Sequence, residues 1–112
     1  MPDESIYKIL RASEWRDAQA QGAVTGSADD VRDGFIHLST RGQVAGTLER
    51  HFAGEAGLVV LEVAAERLGD DLKWEPSRDG ALFPHLYAAL PLDAVIRTMT
   101  PPLPTDPESN VT

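Results

Sequence analysis

After residue 52 this sequence of 112 residues offers no further helix. Before that point strands and helices alternate; beyond it come three or four strand-like runs separated by turns. A parallel doubly wound sheet needs β-α alternation along the whole chain, so that architecture is excluded. An α+β domain with a mixed or antiparallel sheet and two main helices is expected instead. No Gly-rich turn joins a strand to a helix, so neither a P-loop nor a Rossmann dinucleotide site is expected.

The elements follow from local chemistry. SIYKIL (5–10) is rich in β-formers and predicts a strand. Ser13 is a plausible N-cap for a helix running to about Gln21, with Gly22 at the stop, where a positive φ is often needed. Residues 23–34 are polar with two glycines and read as a long loop. FIHLS (35–39) predicts one continuous strand. Thr40 and Gln43 make a capping box that opens a helix to about Phe52, with Val44, Leu48 and Phe52 as its apolar stripe. LVVLEVAA (58–65) is the longest apolar, β-branched run and predicts the central buried strand. LKWE, FPHLY and AVIRTM supply the remaining strands, with PSRDG (76–80) as a turn. The domain is expected at residues 4–100. The last twelve residues, 101–112, hold four prolines and few large apolar groups, and predict a flexible tail.

Charge and residue usage exclude several classes. Ten Lys and Arg against eighteen Asp and Glu give a net charge of −8, which disfavours a nucleic-acid binder whose affinity comes from neutralising phosphates. With no cysteine there is no disulfide framework, thiolate nucleophile or Cys-built metal site. The opening MPDESIYK has no basic or apolar leader, and no apolar run approaches the roughly 18 residues of a membrane span. A cytoplasmic monomer is expected, with no membrane and no nucleic-acid partner.

Two segments carry the candidate chemistry. On an extended FIHLS, Phe35, His37 and Ser39 share one face and Ile36 and Leu38 the other. On FPHLY, Phe83, His85 and Tyr87 share one face, with Pro84 and Leu86 opposite. If the strands are neighbours, the two aromatic–His–hydroxyl rows line one pocket, the usual form of a small-ligand site. Either histidine alone is as well explained by a structural hydrogen bond. Trp74 is expected in the core. Glu75, at a strand end before Pro76, is a candidate carboxylate for ribose hydroxyls or a developing cation. His51, Trp15 and Gln43 read as packing, surface or capping residues. His37, His85 and Glu75 could in principle form a two-His-one-carboxylate metal set, but no ligand spacing supports it and no metal is expected. No nucleophile elbow accompanies Ser39.

The succession IYKIL, EW, DGFIHLST with Gln43 and Thr47, LKWE and FPHLY resembles the small bacterial family called domain of unknown function 952, over about residues 5–97. That resemblance implies an ADP-ribosyltransferase-like fold, a split and bent mixed or antiparallel sheet carrying a cleft. The strand Ile36-His37-Leu38-Ser39 also resembles one in the tRNA 2′-phosphotransferases of the same fold group. Those enzymes place a ribose-gripping histidine and a glycine where this chain has Lys8 and Ile9.

The resemblance implies binding of NAD or a related nucleotide, with ADP-ribosyl transfer or NAD hydrolysis through a cation-like transition state. Glu75 is then the candidate catalytic carboxylate, with His37 beside it, and Phe35 or Tyr87 stacks on the nicotinamide. Lys8, Ser39, Thr40 and His85 complete the expected ligand-binding set. Because Lys8 replaces the usual histidine, a non-catalytic small-ligand module with the same cleft is the alternative.

Overall fold

The computed structural model describes residues 5–77 and 80–101. The expected tail therefore lies outside the described residues apart from Pro101, as do residue 4 and part of the 76–80 turn. Among the described residues the architecture is α+β, with three α-helices and sheets in which every strand pairing is antiparallel.

The apolar run forms β5 (Leu58–Ala64), the strand expected to be central. It lies between β1 (Ser5–Arg11) and β9 (Val95–Met99), with β4 (Ser39–Thr40) on the outer side of β1. β1 pairs with β5 along its whole length, from Ser5 opposite Ala64 to Arg11 opposite Leu58. Strand alternation then divides the side chains between two cores. Ile6 and Leu10 join Leu61 and Val63 in one. Tyr7 and Ile9 join Leu58 and Val60 in the other. The first core is covered by α1 (Ala12–Gln21) through Trp15 and Ala18. The second is covered by α3 (Arg41–His51) through Val44 and Leu48, with Phe52 just beyond the helix. Burial of one such aliphatic side chain stabilises by roughly 1.5–3 kcal/mol.

Local signals set most helix ends. Thr40 N–H donates to Gln43 Oε1 at 2.9 Å, as the capping box requires. Gly22 stops α1 at φ 91°, where an L side chain would be strained. The start of α1 differs from expectation. Arg11 is the capping position and its N–H donates to Glu14 Oε1 at 2.8 Å, so Ser13 lies inside the helix.

The expected loop 23–34 is the larger correction. It contains β2 (Ala23–Val24), which pairs with β8 (Leu90–Pro91), and a third helix, α2 (Ala28–Asp33). Ser27 caps α2: its Oγ accepts from Asp30 N–H at 3.3 Å, and its own N–H donates to Asp30 Oδ2 at 2.9 Å.

The second correction is that FIHLS is not one strand. β3 (Ile36–His37) pairs with β7 (Leu82–Leu86) in a three-stranded sheet completed by β6 (Leu72–Pro76), while β4 belongs to the four-stranded sheet. Leu38 is the crossing residue, and Pro84 supplies the reason. Leu38 N–H donates to Pro84 O at 3.0 Å, but proline has no N–H with which to return the bond. The ladder ends there and the chain passes to the other sheet.

Trp74 is also corrected: it is 41% exposed, on the outer strand of the three-stranded sheet, rather than in the core.

Candidate functional site

The crossing at Leu38 places a cleft of about 250 Å³ where the two sheets diverge. Tyr7, Ile9, Leu38, Phe52 and Phe83 form its apolar surface, and α2 contributes Asp29, Asp30, Arg32 and Asp33 along one side. His37 and His85 both line it, directly opposite each other in the β3–β7 register with ring centroids 5.7 Å apart. His37 and Ser39 of the first row and Phe83 and His85 of the second therefore meet in one cleft, although the first row is carried by a broken strand.

Asp30 organises this side of the cleft. Its carboxylate is buried and accepts four bonds. Oδ1 takes His37 N–H at 3.1 Å and lies 2.6 Å from His37 Nδ1. Oδ2 takes Lys8 Nζ at 2.8 Å and Ser27 N–H at 2.9 Å. Burial pushes its carboxyl upward, but the bonds from His37, Lys8 and Ser27 outweigh this and hold it far below the ordinary carboxylate range. Lys8 shares the strand face of Ile6 and Leu10, so its ammonium is buried and needs a partner. Asp30 provides it, and Nζ also donates to His37 O at 3.1 Å.

His85 is held from the other sheet. It is buried, and its Nδ1 lies 2.7 Å from Glu75 Oε1, which also accepts from Tyr87 O–H at 2.7 Å. His85, first, and Tyr87 hold the Glu75 carboxyl below its usual range, while Glu75 pushes the Tyr87 hydroxyl up. An ionised Glu75 makes Nδ1 the donor in the neutral ring, leaving Nε2 as an acceptor. Phe35 stacks on the His85 ring at 4.1 Å and 23°, and also touches His37 and Tyr87.

Of the expected residues, Lys8, His37, Ser39 and His85 line the cleft. Phe35, Tyr87 and Glu75 form the support behind the imidazoles and are not among its lining residues. Thr40 caps α3 instead of facing the cleft. Thr47 Oγ1 donates to Gln43 O at 3.1 Å, so in its 3.1 Å bond with Ser39 the serine is the donor. Ser39 is left as an acceptor toward a ligand. Among the described residues no three His, Asp or Glu side chains are grouped to hold a metal ion. No helix is long and apolar enough to cross a membrane.

Asp30 and Asp33 are the site residues that sequence reasoning missed. Their signal was present: Ser27, three residues before Asp30, with Gly34 as a stop, is a short capped helix. Its lack of an apolar stripe hid it.

Residues 9–98 match the family model described as "Protein of unknown function (DUF952)". The chain is similar to the crystal structure of protein CC0527 from Caulobacter crescentus, with 52% sequence identity, 92% of this chain and 89% of that chain covered, and a TM-score of 0.84. It is similar to a double mutant of that protein at 51% identity with the same coverage and TM-score. To the solution NMR structure of CC0527 it is 52% identical, covering 93% of this chain and 88% of that chain, with a TM-score of 0.77. Comparison with curated proteins gives no match. With nearly all of the domain matched, from β1 through β9, the chain belongs to the DUF952 family.

Proposed function

We propose that this cleft binds NAD or a related nucleotide, in a domain of ADP-ribosyltransferase-like fold that acts as a cytoplasmic monomer, with ADP-ribosyl transfer or NAD hydrolysis as its chemistry. One observation carries the reading: two imidazoles, each backed by a carboxylate at Nδ1, open onto one hollow between two antiparallel sheets. A hollow between diverging sheets fits the split-sheet architecture of that fold group. A ribose offers hydroxyls to His85 Nε2 and to Ser39, and the apolar surface of Tyr7, Phe52 and Phe83 suits a base or nicotinamide ring. Glu75 remains the candidate carboxylate, held ionised by its two donors, and from its present position it acts through His85.

Calorimetry with NAD, ADP-ribose and AMP tests binding, and nicotinamide release tests chemistry. Binding weakened by His37→Ala and by His85→Ala supports the reading; absence of binding by the wild type removes it.

A second reading is a binding module without chemistry. Lys8 favours it, since the ammonium standing in for the ribose-gripping histidine is fully engaged by Asp30 and His37 O. Ligand binding without turnover supports this reading, and nicotinamide release that depends on Glu75 excludes it.

A further inference from the structure

Asp33 sits where a negative charge is wanted. Its Oδ2 lies 2.9 Å from His37 Nε2. Arg32 grips the same carboxylate as a fork, Nε to Oδ1 at 3.0 Å and Nη2 to Oδ2 at 3.3 Å. One carboxylate thus bridges a guanidinium and an imidazole at the rim of the cleft. Both nitrogens of His37 face carboxylate oxygens, Asp30 at Nδ1 and Asp33 at Nε2. The Asp33 carboxyl is held below its ordinary range, chiefly by Arg32 with His37 adding to it.

The neighbouring charges are paired. Lys8 answers Asp30, and Arg32 also reaches Asp29 at 3.3 Å. Withdrawing Asp33 frees the Arg32 edge that holds it, leaves Arg32 its contact with Asp29, and takes a carboxylate oxygen away from His37 Nε2. Withdrawal asks little of the fold. Asp33 ends α2 and its side chain is one-third exposed.

We infer that the rim position between Arg32 and His37 is an anion site for a phosphoryl group, which Asp33 occupies until a ligand displaces it. An Arg fork beside an imidazole nitrogen is suited to phosphate oxygens. A volume of about 250 Å³ lies just below the usual range of ligand pockets and suits one phosphorylated ribose. The ligand class is therefore a ribose phosphate or mononucleotide unit, free or as one end of a larger molecule. This deepens the nucleotide reading and rests on it for the sugar, but the anion site stands on its own geometry.

Calorimetry on the full chain tests it with inorganic phosphate, ribose 5-phosphate, ribose and NAD, for wild type, Asp33→Asn, Asp33→Ala and Arg32→Gln. Both positions are exposed enough that melting temperatures report folding independently. Removing a competing exposed carboxylate is expected to tighten binding of both phosphate compounds about two- to fivefold, the scale of a surface ion pair. Arg32→Gln weakens them, and binding of ribose does not change. Equal or weaker phosphate binding by both Asp33 variants overturns the proposal, as does no phosphate binding by any form. NAD binding that ignores Asp33 and Arg32 overturns the anion site and leaves the nucleotide reading intact. Phosphate binding tightened by the Asp33 variants, in a protein that takes no NAD, supports the anion site and sinks the nucleotide reading.

Discussion

Lys8 and Asp30 form a buried ion pair at 2.8 Å, with side chains only 6% and 2% exposed. The two are not equivalent members. Asp30 also holds Ser27 and both His37 groups, whereas among the described residues Lys8 bonds to Asp30 and one carbonyl.

Asp30→Ala is therefore expected to cost about 3–5 kcal/mol, the usual result of leaving one buried charge alone. Lys8→Met should cost less, because Asp30 keeps three donors. Urea unfolding of both variants measures this, and a loss under about 1 kcal/mol for Asp30→Ala would show that the pair does not anchor α2.

The same carboxylate sets an acid limit. The Asp30 carboxyl lies below its ordinary value of 3.8 in the folded protein. A depressed carboxyl contributes stability that is complete above the unfolded value and lost as pH falls below roughly 4 toward the folded value. Unfolding curves from pH 7 to 2 should show that loss in wild type and a flatter profile in Asp30→Asn; parallel profiles would contradict the assignment.

Gly26 lies against Asp30. Its φ is 113°, and an added Cβ would stand 2.7 Å from Asp30 Cβ. Gly54, at φ 76°, meets nothing within 4 Å. Gly54→Ala should cost about 1–2 kcal/mol for backbone strain alone. Gly26→Ala should exceed that clearly and also weaken ligand binding, because Asp30 and His37 must shift. Equal costs in thermal melts would mean that the contact yields freely.

Glu75 is expected to position His85. Glu75→Ala should leave the melting temperature nearly unchanged but remove the preference for a protonated Nδ1, read from nitrogen chemical shifts of the ring. An unchanged tautomer in the variant would mean that the bond from Nδ1 to Glu75 does not orient the imidazole.

The two tryptophans separate surface from core. Trp74 is 41% exposed, and Trp74→Ser should change stability by less than about 1 kcal/mol. Trp15 packs on the first core, and Trp15→Ala should cost about 2–3 kcal/mol. Equal losses in urea titrations would contradict this division.

Local chemistry in the sequence determined the central strand, the capping of α3 by Thr40 and Gln43, the stop at Gly22 and the presence of two histidine-bearing strands. Each depends on neighbours a few residues apart, which is the range of periodicity and capping. Trp74 was misplaced because its burial depends on which edge of a sheet it occupies, and strand order is not local. The union of His37 and His85, the break of FIHLS at Leu38 and the role of Asp30 belong to tertiary structure alone. Pro84 ends the ladder only because β7 lies beside β3, and Asp30 is buried only because Lys8 and His37 converge on it from other strands. These couplings join residues far apart in the chain, and register and desolvation, which decide them, exist only once the sheets have formed.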